Sequence, residues 1–454
     1  MKKVFVLFIA AIMLITAFSG CSNSKSPEKD ANSNLPTIDA LEVGKDYTDL
    51  TASITVLTFR TDIMNKLKGY ASQFSKMYPG VKITYQGVSD YETSVITYLS
   101  SGADWGDIMM IPLGIEKDMV SEYFTPLGKK EELEKAYNFT SAWNYNGDVY
   151  GVASTGNANG ILYNKKVFAD AGITDFPKTP DEFISALKAI KDKTNAIPLY
   201  TNYADEWPMS SWDAYAGINA TGLDNYWNQI LVHSKTPFID TGDNTGPYSV
   251  YKILYDAVSG GLTEEDYTTT SEPLSYQMLN DGQIGCLVFS SWAVVQAQGA
   301  GNHPEDVGFM PFPISVNGKQ YISINGDYSY GINKKSSREE IIASMLYVKW
   351  LVEESGYSYS EGGLSVYKSG ENPSFYDSLK DCIIMEDAPS IPREELLFNQ
   401  LNAESGLLFN ANGNAKVQSI VEHAFNNDKS FDSIMEEWNK AWNDAQAKLG
   451  IETE

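Results

Sequence analysis

The order in which two hydrophobic periods follow one another restricts the fold of this chain more than any other feature. "ITVLTF" (Ile54 to Phe59) is a short apolar run of strand type. The next segment spaces Ile63, Leu67, Tyr70, Phe74 and Met77 alternately four and three apart, the stripe of an amphipathic helix. That pattern stops at Tyr78-Pro79-Gly80, and "VKITYQGV" then alternates with Val81, Ile83 and Tyr85 on one side. Ser89 with Glu92 has capping-box spacing and predicts another helix, and Ile108 to Ile111 is a wholly apolar strand. A second series begins where Thr179, Pro180 and Glu182 open a helix with Phe183, Leu187 and Ile190 on one face. "IPLY" (Ile197 to Tyr200) and "IGCLVF" (Ile284 to Phe289) are buried strands. Ser337 and Glu340 cap a helix carrying Ile341, Met345, Val348 and Val352, and a last helix carries Phe431, Ile434, Trp438, Ala441, Ala445 and Leu449. Two such series in 454 residues predict two α/β lobes, each a mainly parallel sheet flanked by helices.

Charge and rare residues narrow the chemistry. The chain holds 59 acidic against 34 basic residues, a formal net charge of −25, which argues against nucleic acid or anionic lipid as a partner. His233, His303 and His423 stand singly with no metal-ligand spacing, so neither metal nor cofactor is expected. In "DTGDNTGPY" (Asp240 to Tyr248) Gly242 replaces the third-position ligand of a calcium loop, which leaves a turn. No nucleophile elbow or phosphate-binding glycine motif occurs, and the chain reads as a non-enzyme; a carboxylate pair of glycosidase type stays open as an alternative. Cys286 and Cys382 are too few for a disulfide scaffold, and the sequence leaves their pairing open.

The amino-terminal stretch has its own logic. Lys2 and Lys3 precede the apolar run Val4 to Phe18, and Ser19-Gly20 precede Cys21, as in a secretory signal peptide over residues 1–20. The cysteine at the cleavage point resembles the lipobox of bacterial lipoproteins, and the resemblance implies lipidation of Cys21 and anchorage to the cell membrane; three arginines against 31 lysines point to an AT-rich genome, which a Gram-positive surface would fit. A plain secreted protein is the alternative. Residues 21–36 are polar and form a tether, about 20 Å in root-mean-square span for fifteen residues of coil.

Several segments in order, "FSKMYPGVKITYQGVSDYE", "SSGADWGDI", "GDVYGVASTGNANGILYNKKVFADAGITDFPKTPDEF", "LNDGQIGCLVFSSWAVVQ", "GFMPFPI" and "INGDYSYGINKKSS", resemble the sugar-binding branch of the extracellular solute-binding proteins of ABC importers. The chain departs from the family pattern at Gly106, before Asp107, and at Ala153, where prolines are common. The resemblance implies a periplasmic-binding-protein-like fold with the ligand cleft between lobes. It places crossovers near Val152 to Gly160, Pro311 to Ser323 and Glu361 to Lys368. The amino-terminal lobe would then comprise residues 37–155 and 320–365, and the carboxyl-terminal lobe 156–319 and 366–454. It further implies a carbohydrate ligand, an ABC permease as partner, an extracytoplasmic location and a monomer. A surface glycoside hydrolase, or a receptor of this fold for a peptide, polyamine or phosphate ester, is the competing expectation.

A sugar presents C–H faces and hydroxyl edges, so its receptor needs aromatic plates and planar polar groups. Arg60, one of only three arginines, follows the first strand; it either forks onto ligand oxygens, orients a carboxylate, or is a solvated loop residue. Asp107 beside Trp105 lies on the rim or forms a turn. "TNYADEWPMSSWD" gathers Asn202, Tyr203, Trp207, Trp212 and Asp213 after the "IPLY" strand, with at least one of the two tryptophans expected in the core. Trp292 matches the tryptophan of a family motif at a strand end, with Ser290 or Ser291 as helix cap. Asp327, Tyr328 and Glu361 match family positions near the second and third crossovers, as ligand or hinge residues.

Overall fold

Strands β1 (Ala52–Thr58), β2 (Val81–Gly87) and β3 (Ile108–Met110) are parallel neighbours in the computed structural model, which describes residues 35–410 and 413–453. The signal peptide, Cys21 and most of the expected tether lie outside the described residues. Helix Met64–Met77 connects β1 to β2 and buries Leu67, Tyr70 and Phe74, three members of the stripe read from the sequence. Helix Tyr91–Ser101 leads on to β3, but the expected capping box is absent. Its N-cap is Asp90, in the left-handed region at φ 47°, and no side chain caps it. Glu92 is engaged elsewhere.

Twelve further strands complete the sheets: β4 (Gly128–Lys129), β5 (Asn144–Tyr145), β6 (Asp148–Val149), β7 (Gly151–Ala153), β8 (Gly156–Ala158), β9 (Gly160–Asn164), β10 (Ile197–Tyr200), β11 (Ile284–Leu287), β12 (Val307–Pro311), β13 (Tyr321–Gly326), β14 (Ser329–Ile332) and β15 (Ile383–Met385). The first sheet has the order β2-β1-β3-β14-β7 and the second β10-β11-β9-β12. A three-stranded sheet β15-β13-β8 joins them, and β4-β6-β5 is a small antiparallel patch. The chain passes from the first sheet to the second through β7, β8 and β9 with one or two residues between strands, and returns through β12, β13 and β14.

This threading explains why the sheets are mixed rather than mainly parallel. Strands followed by a covering helix, such as β1 and β2, pair in parallel. β14 meets both β3 and β7 antiparallel, and β9 meets both β11 and β12 antiparallel, because they arrive from the linking strands instead of a helical crossover.

Both lobes have apolar centres of the kind the periodicity requires. Helix Arg338–Glu353 carries the expected Ser337–Glu340 capping box and is buried along nearly its whole length. Helix Pro180–Lys193 is capped by Thr179 and buries Phe183, Leu187 and Ile190. The last helix, Phe431–Leu449, buries Phe431, Ile434, Trp438 and Ala445, but its stripe also runs over Met435 and Trp442, and Leu449 is exposed. Cys286 and Cys382 are both free thiols, with Cys286 buried.

Candidate ligand-binding cleft

The linking strands carry the polar floor. β8 and β13 pair in a register that sets Asn325 opposite Asn157 and Ile324 opposite Ala158. Side chains alternate along a strand, so Ala158 enters the core with Leu162, Phe289 and Ile322 while Asn157 projects from the other face. Asn157 Oδ1 is shielded from solvent and accepts no hydrogen bond from the protein. Leaving such an oxygen unpaired costs about 1–3 kcal/mol, a cost that a ligand hydroxyl would remove. Asp327 follows β13; burial pushes its carboxyl up, against the Tyr328 N–H at 2.7 Å, the Asn157 side chain and the Arg60 charge.

One wall comes from the first sheet. Arg60, just past the carboxyl end of β1, reaches Glu361 Oε2 at 2.7 Å and Asp62 Oδ1 at 3.0 Å, and Lys66 Nζ reaches Glu361 Oε1 at 2.5 Å. Burial works to lower the Arg60 pKa, but the Asp62 hydrogen bond and neighbouring acids hold it high, so the guanidinium stays charged. Arg60 is therefore not a solvated loop residue; it sits on two carboxylates, as one of the sequence expectations had it, and ties β1 to the segment of the third expected crossover. The Tyr328 hydroxyl donates to Glu92 Oε1 at 2.7 Å, and its ring lies 4.6 Å from Phe59. Glu92 also accepts from the Leu113 and Gly114 amides, at 3.2 and 3.4 Å, which locks the loop after β3.

A second group is aromatic. Trp207 is 46% exposed and stacks on Phe289, 5.7 Å between centroids at 17°. Trp292 is half-buried, 5.9 Å from Trp207 and 5.4 Å from Phe289. Ser290 and Ser291 do not cap its helix. The Ser290 hydroxyl donates to Asn159 Oδ1 at 2.7 Å, and Ser291 Oγ accepts from the Ala158 amide at 2.9 Å, so the two serines fasten the aromatic wall to the linking strand. Asn202, at φ 57°, follows β10 with its Oδ1 buried and unpaired, while Glu264 receives the Thr201 amide beside it at 3.0 Å.

Four expected site residues are engaged within the protein. Asp107 stands at the amino end of β3, away from the carboxyl edge, and both its oxygens are taken, by the Thr55 amide at 2.8 Å and the Ser336 hydroxyl at 2.6 Å. Trp212 is 2% exposed and packs edge-on against Phe312. Asp213 is wholly buried and holds Lys416 Nζ at 2.6 Å, the Tyr251 hydroxyl at 2.7 Å and the Asn410 amide at 3.2 Å. The Tyr203 hydroxyl bonds Glu422, and its ring meets Tyr267 at 4.5 Å. The structure thus brings Trp207, Trp292 and the Asn159 region together in one group, and Arg60, Asp327, Tyr328 and Glu361 in another. Sequence reasoning missed Glu92, Asn157, Phe289 and Asn325. The β-alternation of "GNANG" could have pointed to Asn157 and Asn159 as a pair on one face.

Each of the three histidines lies beside an acidic side chain, His233 at 3.0 Å from Glu394, His423 at 2.7 Å from Asp428 and His303 at 3.8 Å from Glu305. The Asp240–Tyr248 segment is a turn, in which the Asp243 carboxylate accepts from the Thr245 amide at 3.1 Å, followed by the first residues of helix Gly246–Ser259.

Two helix-covered sheets joined by polar linking strands, with an aromatic group on one part of the chain and an ionic group on another, define a two-lobed binding protein with its cleft between the lobes. The chain belongs to the bacterial extracellular solute-binding proteins, whose family model matches residues 60–357. It is similar to a manno-oligosaccharide-specific solute-binding protein of Bifidobacterium animalis subsp. lactis solved with mannotriose, at 44% identity and a TM-score of 0.85 over 92% of this chain and 99% of that one. A second binding protein of an ABC transporter from that organism, solved with mannobiose, is also 44% identical with a TM-score of 0.85, over 91% and 99% of the two chains. The multiple sugar-binding protein of Streptococcus mutans is 29% identical over 181 residues, 39% of this chain and 42% of that protein, so the match spans less than half of that curated relative. Among the described residues no helix is long and apolar enough to cross a membrane.

Proposed function

We propose that the protein is the extracytoplasmic receptor of an ABC importer and captures a neutral oligosaccharide of the manno-oligosaccharide type. The observations that carry this are the pairing of Asn157 with Asn325 across the linking strands and the exposed aromatic group of Trp207, Phe289 and Trp292, which Ser290 and Ser291 fasten to the same linking segment. Amide floors satisfy hydroxyl edges and indole plates cover C–H faces. The 44% identity to proteins solved with mannotriose and mannobiose favours short mannose chains over other solutes. In this reading β7–β9, β12–β14 and the segment around Glu361 are hinges between lobes of residues 37–155 with 320–365 and 156–319 with 366–454. The receptor acts as a monomer, is tethered through a lipidated Cys21 and hands its ligand to the importer's permease subunits. It performs no chemistry on the sugar.

Ligand capture by two walls requires that they close on the same molecule. Titration with mannotriose is expected to raise the melting temperature, by the equivalent of about 2.7 kcal/mol at a hundred times Kd. Solution scattering should show a smaller radius of gyration at saturation. An unchanged radius, or steady hydrolysis of the trisaccharide, would overturn the receptor reading. Replacing Cys21 with alanine should release the protein from the membrane fraction and leave affinity unaltered; a variant still sedimenting with membranes would remove the lipid anchor from the account.

A further inference from the structure

Beside the cleft floor is a cavity of about 300 Å3, lined by Asn159, Ala214, Trp227, Asn325, Asp387 and Asn410. Three amides, an indole and one carboxylate surround it, and no basic side chain is among them. Asn159 also holds Ser290, two residues before Trp292, so the cavity adjoins the aromatic wall.

Asp387 is the anomaly. It lies just past the end of β15 on a backbone clamped to the neighbouring loop: the Ala388 amide donates to the Asp224 carbonyl at 2.8 Å, and the Asn228 side chain donates to the Ala388 carbonyl at 2.7 Å. Its Oδ1 is shielded from solvent and has no hydrogen-bond partner in the protein. The charged groups acting on it are Asp224 and Glu386, both acidic, while Lys368 and Lys130 act on Glu386. Burial first, and these two acids next, push the Asp387 carboxyl up to about 7. A clamped carboxylate facing like charges, with one oxygen unpaired, is unfavourable in the free protein; such groups persist where a ligand supplies the missing donors. Asp224 and Glu386 do not line the cavity, and its three neutral amides suit hydroxyls better than a metal ion, which would draw further carboxylates into the lining.

We propose that this cavity is the subsite for a terminal pyranose, where adjacent sugar hydroxyls donate to Asp387 and the Asn159, Asn325 and Asn410 side chains complete the polar contacts. The assignment rests on the receptor function proposed above. Asp387 then selects for the hydroxyl arrangement at one end of the chain, while the tryptophans accept any pyranose face.

The test is calorimetric titration of wild type and Asp387→Asn with mannotriose from pH 6 to 8.5, with melting temperatures of the free proteins alongside. Hydroxyl donors favour the ionised carboxylate, so wild-type affinity should rise with pH and level off above neutrality. Only about a tenth of Asp387 is ionised at pH 6, so the wild-type Kd should be about tenfold weaker there than at pH 8. Asp387→Asn should bind about tenfold or more weakly than wild type at pH 8, with a flat pH profile. Because the folded-state carboxyl titrates above its ordinary value of 3.8, the free wild type loses stability as pH rises from about 4 to 7. The variant lacks this loss, so at pH 8 its melting temperature should equal or exceed that of wild type. A wild-type pH profile in the variant, or a lowered melting temperature with unchanged affinity, would overturn the subsite while leaving the receptor standing. Absence of saccharide binding by wild type at every pH would overturn both.

Discussion

Replacing Lys416 with methionine is expected to lower the unfolding free energy by about 3 to 5 kcal/mol, the cost of removing one partner of a buried ion pair. The Lys416 ammonium sits 2.6 Å from Asp213 and 4.5 Å from the centre of the Phe409 ring. Burial pushes the Asp213 carboxyl up and the Lys416 ammonium down, so each charge is kept mainly by the other. Without the lysine, the carboxylate retains only the Tyr251 hydroxyl and the Asn410 amide. It must then take up a proton or draw in water, and either route weakens the packing of helix Asn414–Asn426 against Gly246–Ser259. The double variant Asp213→Asn with Lys416→Met leaves no lone charge and should recover most of the loss. Denaturant unfolding of the three proteins measures this directly. A single variant within about 1 kcal/mol of wild type would mean that the pair does not hold this part of the fold.

Asp213 also shows where the sequence stops being legible. Strands and helices were readable because each is specified within its own segment: the spacing of Leu67, Tyr70 and Phe74, or the Ser337–Glu340 box, needs no distant partner. The aromatic-and-acid stretch from Thr201 to Asp213 promised a binding shelf by composition, but composition does not say which way a side chain points. Trp207 and Trp212 lie five residues apart on the same 3-10 segment, one exposed and the other in the core. Asp213 is drawn inward by Lys416, more than 200 positions away in the chain, and Asp107 by Thr55 and Ser336. Glu92 illustrates the same limit, since its local capping pattern yields to Tyr328, Leu113 and Gly114, which only the fold brings near. The polar floor was missed for a related reason. Asn157 and Asn325 become a pair only through the register of β8 and β13, two strands whose sequences look like loops between stronger elements.

That contrast between Trp207 and Trp212 yields the sharpest test of the cleft. In Trp207→Ala the plate stacked on Phe289 is lost, and because nearly half of the side chain is exposed in the free protein, most of what it does should be felt by the ligand. A central aromatic contact that loses water on binding typically costs 2 kcal/mol or more when truncated, which is roughly a thirtyfold loss of affinity. The melt should shift little, since Phe289 stays covered by Trp292 and Tyr276, at 5.4 and 6.2 Å between ring centres. Trp212→Ala should do the reverse. It opens a cavity against Phe312 in the core and should remove about 3 to 5 kcal/mol of stability, with affinity altered only as far as the fold loosens. Calorimetric titration with mannotriose and denaturant unfolding of both variants separate the two roles. If Trp207→Ala binds as tightly as wild type, the aromatic wall does not touch the sugar, and the ligand must be held by the amide floor and the ionic wall alone.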